Sequence, residues 1–431
     1  MSAAGASRDV RRRLGRVAAT AFALGAVLAL AAPTGDAREL MAGSDGSRLE
    51  LRTSLKAAGL FSLFPAGLAA ATSQDASEGF WRARFELEAR PGGRVTAVAA
   101  YEHRWRAASA IAGGNVAAGI LPGSAVAPFR IRPLDWSLAE PPGVTWRHEI
   151  DRAFLALHGA RTELTIGRQA IGWGRGVLFG AVDLFAPFHP LEADREWRRG
   201  VDAVRGDLRL GERSSVEAVA AFGEEIPSSA FGARLRGYAG EIDGELLAGR
   251  RGEDWFAGAT ASAAVGGAEA HGEAAAFRLP ESIPGEGRSV WKLVAGASYQ
   301  FRVGHGLPLF AEYHYSGFGA PSADEVPVRF GSARLVARYL RGDTQILSRH
   351  AAALWTTYEF DPEWSVGGTI LAAPSDGSGL IEPSVTFSAG NRFSFRASLY
   401  LPFGAGLREG DPGSFYGATP RSLWVQIAFV D

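Results

Sequence analysis

The chain has 431 residues, a formal net charge of −1 and no cysteine. A balanced charge gives no electrostatic reason to expect a nucleic-acid partner, and a chain without cysteine has neither a disulfide framework nor thiolate chemistry. Glycine is abundant at 55 residues, and aromatic residues make up 10% of the sequence. Length alone allows two or three soluble domains, but large β-barrels also reach this length as one unit.

The first 37 residues resemble a secretory signal peptide. Arginines at 11, 12, 13 and 16 precede an apolar run at 17–32, and the small residues Gly35 and Ala37 suit cleavage before Arg38. Cleavage after Ala32 is the second choice. A transmembrane anchor is the competing interpretation, although a run of about sixteen residues is short for a helical span. We therefore expect residues 1–37 to be removed on export.

The first clear structural element is the stretch WRARFELEAR at 81–90. Apolar and charged residues alternate along it with a period of two, which predicts a strand rather than a helix. A Pro-Gly-Gly turn signal follows at 91–93, and residues 94–106 alternate again, so the two runs predict a hairpin. What the apolar face touches, a protein core or lipid, decides the class of protein.

The same alternation recurs along the chain and predicts eighteen strands. Sixteen is the alternative, because alanine and glycine blur the pattern between 231 and 277. The predicted strands are 48–57, 80–90, 94–106, 145–157, 162–169, 200–210, 215–222, 231–238, 241–249, 254–265, 268–277, 289–301, 307–316, 347–360, 363–373, 379–389, 392–403 and 420–429.

The connections between these strands alternate between long and short. The long ones include 58–79, 107–144, 170–199, 317–346 and 404–419, and the short ones include 91–93, 158–161, 211–214, 266–267, 361–362 and 390–391. Outer-membrane barrels have this asymmetry, because their periplasmic turns are short and their outer loops are longer. The pattern predicts an all-β protein, a transmembrane antiparallel up-and-down β-barrel with lipid on the apolar face and water on the charged one. The alternative is a soluble periplasmic β protein.

Two segments resemble a known family. The span GRQAIGWGRGVLFGAVDLFAPFHP at 167–190 resembles the strand end and following loop of large Gram-negative outer-membrane porins, including alginate-export-like channels. The closing LWVQIAF at 423–429 is similar to the terminal strand that the barrel-assembly machinery recognises, which makes strand 420–429 the expected contact with that partner. The resemblance implies a barrel in outer-membrane lipid and lipopolysaccharide, with the loop after residue 169 folded into the lumen.

The charged loop 170–199 is the candidate constriction, since rings of charged side chains commonly set pore selectivity. The alternative is a solvated outer loop whose charges face the medium. The pore-lining candidates on this loop and on the strands are Arg82, Arg84, Arg104, Arg168, Arg175, Asp183, Glu192, Asp194, Arg195, Arg198, Arg199, Arg205 and Arg209.

Arginine dominates the basic residues, since only Lys56 and Lys292 are lysine. Because arginine binds carboxylates and phosphates with two parallel hydrogen bonds, an arginine-rich lumen would suit an anionic solute such as an acidic polysaccharide. Base composition, or pairing of the arginines with nearby carboxylates, explains the same bias without anion selectivity.

Catalytic motifs are lacking in the sequence. The eight histidines show no HExxH spacing, and there is no GxSxG elbow, so we expect neither a metal nor a cofactor. His148 and Glu149 near Asp151 imitate a general-base group, which ordinary inner-face polarity explains more simply. The sequence therefore predicts a passive porin or export channel for small or anionic polar solutes, as a monomer or a homo-oligomer. The alternative within the membrane is a barrel enzyme acting on lipid or lipopolysaccharide.

Overall fold

The computed structural model describes residues 38–65, 75–109, 128–283, 287–390, 392–406, 408 and 413–430. The predicted signal peptide at 1–37 lies outside the described residues. The strands are β1 (Arg38–Ala42), β2 (Arg48–Leu63), β3 (Asp75–Arg90), β4 (Val95–Ala108), β5 (Asp135–Ala139), β6 (Val144–His158), β7 (Thr162–Gln169), β8 (Val201–Arg209), β9 (Ser215–Ala221), β10 (Ala230–Ala239), β11 (Ile242–Arg251), β12 (Asp254–Val265), β13 (Ala268–Ile283), β14 (Gly287–Phe301), β15 (Leu307–Ser316), β16 (His350–Glu359), β17 (Trp364–Ala373), β18 (Ser378–Ala389), β19 (Phe393–Phe403) and β20 (Arg421–Val430). Helices α1 (Glu325–Phe330) and α2 (Ala333–Arg341) lie between β15 and β16, and a 3₁₀ turn (Ile226–Ser228) precedes β10.

Eighteen of the strands form a closed antiparallel barrel. Each barrel strand pairs with the next, and β20 closes the sheet by pairing with β2 from Ser54↔Val430 to Leu63↔Arg421. The other two strands extend the wall at opposite ends: β1 pairs with the start of β2, and β5 pairs with β6 beyond the point where β7 ends. Closure gives every barrel strand two hydrogen-bonded neighbours, so no barrel edge is left open.

The predicted fold class is confirmed, and each of the eighteen predicted strands is present. Differences lie at the ends: the strand predicted at 48–57 continues to Leu63, and the one predicted at 347–360 begins only at His350. Strands β1 and β5 were not predicted. Each has five residues, which is too short for alternation to be recognised.

The two ends of the barrel differ in their connections. At the turn end, where β2 begins and β20 ends, every connection between consecutive barrel strands has two to five residues. At the other end, here the loop end, the connections 109–143, 170–200 and 317–349 are long. The predicted strict alternation is only partly right, because the loop-end connections 252–253, 284–286 and 374–377 are also short. On either side of the connection 284–286 the strands themselves are long, with 16 residues in β13 and 15 in β14.

The outward row of the strands is apolar and exposed. On β3, Phe85 and Leu87 are 41% and 39% exposed, whereas Arg84, directly before Phe85, points inward and is 2% exposed. A soluble sandwich would bury the Phe and Leu rows between two sheets, but here one sheet closes on itself. None of the helices among the described residues is long and apolar enough to cross a bilayer.

The inner face is polar towards the turn end but apolar near the loop end, which the sequence analysis did not anticipate. Apolar inner residues such as Leu60, Phe277 and Trp424 join side chains of the long loops in one hydrophobic cluster. The ring of Phe277 on β13, for example, packs edge-on against Phe318 of the 317–349 loop at 5.4 Å. This cluster holds the loops inside the barrel.

Candidate functional site: a loop across the bore

Residues 170–200, here called the crossing loop, connect β7 with β8 and pack inside the barrel. Its apolar side chains Ile171, Trp173 and Phe179 are 2%, 3% and 1% exposed. The indole N–H of Trp173 donates to Glu217 of β9 at 2.6 Å. Trp173 also packs edge-on against Phe185, further along the same loop, with ring centroids 4.9 Å apart.

Two carboxylates on the wall hold the main chain of the crossing loop. Glu273 of β13 and Glu312 of β15 together accept seven backbone N–H groups. Glu273 accepts those of Arg175, Gly176, Ala181 and Val182, and Glu312 those of Val177, Leu178 and Phe179. Hydrogen bonds to a carboxylate acceptor are stronger than those between neutral groups, so these two residues fix residues 175–182 against this wall.

Glycines allow the main chain to approach these carboxylates closely. Gly174 has a φ of +106°, and a Cβ there would lie 2.6 Å from Glu273 Oε1. At Gly176 a Cβ would lie 1.9 Å from the carbonyl oxygen of Phe179. A side chain at either position would collide with these neighbours, so glycine is required sterically at both.

The returning half of the crossing loop is held by a basic clamp on the opposite side, formed by Lys56, Arg82 and Arg84. The carboxylate of Asp194 forms ion pairs with Lys56 Nζ, 2.8 Å from Oδ1, and with Arg82 Nη2, 2.9 Å from Oδ2. The three cations also lie 4.8, 4.7 and 5.1 Å from the centre of the Trp197 ring. Burial alone would raise the pKa of Asp194, but the adjacent charges of Arg82 and Lys56 hold that pKa below its ordinary value.

Arg84 of the clamp and Arg104 on the neighbouring strand are paired with carboxylates. Arg84 Nη1 lies 2.5 Å from Glu102 and 2.9 Å from Asp151, and Arg104 lies 3.1 Å from Glu149. Arg84 and both of its partners are buried. The positive charge of this wall is therefore largely compensated within the protein.

A segment of the 109–143 connection, unmarked in the sequence analysis, completes this side. Arg130 binds Glu149 at 2.5 Å and donates to the carbonyl of Gly200 at 3.0 Å. Phe129 packs edge-on against Phe185 of the crossing loop at 6.3 Å. The only sequence signal was a mixed basic and apolar stretch, FRIR at 129–132, inside a long connection.

The predicted arginines on the strands have different surroundings. Arg168 is 2% exposed and enclosed by Asp202, at 2.7 Å, and by the carbonyls of residues 132, 133 and 150. Arg205 lies nearer the turn end, 3.0 Å from Glu163, and Arg209 is exposed at the end of β8. On the loop itself, Arg175 is 2.7 Å from Asp243 and donates to Thr260 and Ser262.

The remaining charged candidates cluster in the last third of the crossing loop. Arg198 binds the carboxylate of Asp183, while Arg195 donates to the carbonyls of Val177 and His189 at 3.1 and 3.0 Å. Burial raises the pKa of Asp183 despite Arg198, and burial likewise raises the pKa of Glu192. Burial lowers the pKa of Arg195 and of Arg199.

Arg195 is the candidate that reaches towards the far wall. It interacts electrostatically with Tyr400 and Arg396 of β19. Arg396 in turn binds Glu382 of β18 at 3.1 Å. The crossing loop thus contacts the inner wall on several sides, and Arg195 marks where it faces β18 and β19.

The 317–349 connection covers the crossing loop at the loop end. Gln345 accepts the N–H of Gly180 at 3.1 Å and donates to the carbonyl of Phe188 at 3.2 Å. Its helix α2 is tied to the wall by Arg338, which lies 2.7 Å from Asp254. Two long connections therefore pack on each other inside the barrel mouth.

The structure separates the residues that imitated a general-base group. His148 lies on the outward face, where it contacts the Tyr101 hydroxyl and stacks on Trp136 at 5.3 Å. Glu149 lies on the inner face with Arg130. Within the part of the chain that the structure describes, no group of three or more His, Cys, Asp or Glu side chains is arranged to hold a metal ion.

No family model matches the chain, and no curated protein matches it. Among solved structures it is similar to OccAB1 of Acinetobacter baumannii, with 9% identity and a TM-score of 0.53 over 93% of this chain and 99% of that chain. OccAB4 of the same organism gives 9% identity and 0.51, over 90% of this chain and all of the other. OccK1 (OpdK) of Pseudomonas aeruginosa gives 10% identity and 0.51, over 88% and 98%. These are Gram-negative outer-membrane porins. The chain has a porin-type barrel. At this identity the similarity concerns the fold.

Proposed function

We propose that this protein is an outer-membrane porin through which small polar solutes diffuse passively, without a covalent step. The observation that carries the proposal is the crossing loop, fixed inside a closed barrel by Glu273 and Glu312 on one wall and by the basic clamp on another. A loop held in this way narrows a bore and places charged side chains along it, as selective pores require.

The exposed apolar rows support a position in lipid. Side chains such as Phe85, Leu246 and Leu293 are 41%, 63% and 42% exposed on the outward face, and only a bilayer would remove them from water. We place the turn end in the periplasm and the loop end outside, with residues 1–37 acting as the export signal. Strand β20 would be the contact with the barrel-assembly machinery.

For selectivity we propose that Arg195 is the main determinant. Arg82, Arg84 and Arg104 are engaged by carboxylates, which favours a structural role for them over solute binding. Arg195 instead donates to backbone carbonyls, while Glu192 and Glu312 attract its charge and Arg396 opposes it from further away. A weak preference for small anions follows. Passage of an acidic polysaccharide, which an arginine-rich lumen would suit, stays a prediction, and the crossing loop favours smaller solutes.

The test is single-channel recording in planar bilayers with the purified full-length protein. We expect discrete conductance steps, and a reversal potential under a salt gradient that indicates modest anion preference. The absence of steps from protein shown to be folded would refute the porin assignment. A lipid-hydrolysis assay on the same preparation checks the barrel-enzyme alternative, for which turnover abolished by substituting a histidine or serine would be the decisive result.

A further inference from the structure

The two lysines of this chain are both buried, but only one has a partner. Lys56 is 5% exposed, lies 2.8 Å from Asp194 and also contacts Glu196. Lys292, on the inner face of β14, is 2% exposed. It makes neither a hydrogen bond nor an ion pair with any residue in the described ranges.

Other unpaired polar groups lie next to Lys292. Ser316 of β15 is its direct cross-strand partner, and His314 is two residues along on the same face, opposite Val294. Both His314 and Ser316 are 0% exposed. The Ser316 hydroxyl and both ring nitrogens of His314 have no hydrogen-bond partner among the described residues. Directly opposed side chains such as those of Lys292 and Ser316 lie about 5 Å apart at Cβ, and a diagonal neighbour such as His314 lies about 7–8 Å away, within reach of a long side chain.

Nearby carboxylates are engaged by other donors. Asp343 lies 2.6 Å from Arg251, and Asp183 binds Arg198. Glu273 is occupied by backbone N–H groups of the crossing loop. None of these carboxylates comes within ion-pair distance of Lys292, although all three act on it electrostatically from further away.

The crossing loop closes this pocket from inside the barrel. The Phe179 ring stacks on the His314 ring with centroids 5.1 Å apart and an interplanar angle of 23°. Phe179 itself is 1% exposed. The three polar groups are therefore enclosed between the β14–β15 wall and a loop whose position matters for the bore.

We propose that Lys292, His314 and Ser316 form an enclosed binding site for a small inorganic anion of halide size. A buried ammonium without a carboxylate in direct contact is unfavourable, and buried hydroxyl and imidazole groups need hydrogen-bond partners. The lysine supplies three donors, the serine one and a neutral imidazole one, which suits a monatomic anion. Because Phe179 forms the lid of this site, the bound anion stabilises the seated crossing loop.

The test is heat unfolding of the full-length protein in detergent micelles, with sodium bromide or chloride compared with sodium gluconate at equal ionic strength. Gluconate is too large for the enclosed site. We expect the unfolding midpoint to be higher in halide by about 2 °C or more, with saturation as the halide concentration increases. Crystals grown with bromide should show anomalous density between Lys292, His314 and Ser316.

The matched variants are Lys292→Met and Lys56→Met. Lys292→Met should abolish the difference between halide and gluconate, whereas Lys56→Met should keep it even if the protein is less stable, because Lys56 has carboxylate partners. Both variants are measured in the same two salts, so a general effect of the salt type on stability would appear in both. If Lys292→Met fails to fold, the wild-type bromide density decides.

Equal midpoints in halide and gluconate, together with no bromide density, would overturn the site and indicate a neutral amine at Lys292. A halide effect that persists in Lys292→Met would overturn it as well. These outcomes are independent of conductance, so the anion site and the porin function can fail separately.

Discussion

Two arcs of the barrel wall use their inner residues differently. The clamped arc, formed by β2, β3, β4 and β6, carries many charges that are buried in pairs, as Arg84 and Glu102 are at 2% and 1% exposure. The open arc, β16–β20, presents serine, threonine and apolar side chains, with Glu359 at the turn end, Glu382 and Arg396 as the charged inner residues among those described. Most charge therefore lies where the crossing loop is held, and little lies on the wall that it faces.

The difference shows that the number of arginines on an inner face does not tell how much uncompensated charge that face carries. On the clamped arc the arginines neutralise carboxylates and stack on Trp197, so their loss should affect stability first. At the open arc the few charged residues have few opposite charges around them. Their loss should therefore affect permeation more than stability. The following experiments examine this division.

The largest effect is expected from Arg84→Ala. This change removes one buried guanidinium from Glu86, Glu102, Asp151 and the Trp197 ring at once, at a cost of about 3–5 kcal/mol in the free energy of unfolding. Glu102 keeps Arg104 as a partner, and Asp151 keeps Arg130 and Arg152. The matched control is Arg396→Ala on the open arc, where the partly exposed pair with Glu382 contributes about 1 kcal/mol or less. Urea unfolding of both variants in micelles measures the difference. Equal losses would remove the distinction between the arcs.

Next in size is Phe85→Arg on the outward face. A lipid-facing arginine near the bilayer centre costs about 2–4 kcal/mol, so assembly should fall sharply. Thr369→Arg, on the inner face beside Glu382, should assemble normally because its charge meets a carboxylate and water. The fraction of heat-modifiable, folded protein in membranes measures both. Normal assembly of Phe85→Arg would contradict the face assignment.

Glu312→Gln should loosen the tip of the crossing loop. An amide accepts the N–H groups of 177–179 less strongly than a carboxylate, with an expected loss of about 1–3 kcal/mol. We expect larger and noisier single-channel currents. Glu382→Gln, away from these N–H groups, is the control and should leave current noise unchanged.

Arg195→Gln should lower the anion-to-cation permeability ratio by roughly two-fold, since one of few weakly compensated charges is removed. Reversal potentials under a salt gradient measure this ratio. Arg209→Gln, exposed near the turn end, should change it less. A larger effect at Arg209 would move the selectivity filter away from the crossing loop.

The smallest effect concerns pH. The pKa of Asp194 is lowered below its ordinary value of 3.8, so the clamp stabilises the folded state above pH 3.8 and weakens only as the pH falls through the lower, folded-state pKa. Between pH 7 and pH 5 the stability difference between wild type and Asp194→Asn should therefore stay constant. A difference that shrinks already at pH 5 would show that Asp194 is not held by Lys56 and Arg82.

The sequence predicted the barrel well because alternation is a local property. Each barrel strand is long enough to show its period, whereas β1 and β5, with five residues each, are not. The same alternation separates His148 from Glu149, and applying it there would have removed that candidate group. The local alternation therefore predicts where the barrel strands lie and which of their side chains point inward or outward.

The interior was harder to predict because its contacts join distant positions. Arg84 and Asp151 are 67 residues apart, and Lys56 and Asp194 are 138 apart. The sequence alone does not show which arginine meets a carboxylate, nor that Arg130 would enter from another connection. Pairing of the arginines had been one of two alternatives, and it applies to Arg82, Arg84 and Arg104.

The support given by Glu273 and Glu312 has a practical consequence for engineering. Because Glu312 holds the peptide N–H of Val177, the side chain of Val177 is not needed to keep the tip in place, whereas Leu178 packs against the hydrophobic cluster. Val177 is 52% exposed, so its replacement by a bulkier or charged residue should resize the aperture while the scaffold beneath stays the same. Such a tip could be tailored one residue at a time to new permeants.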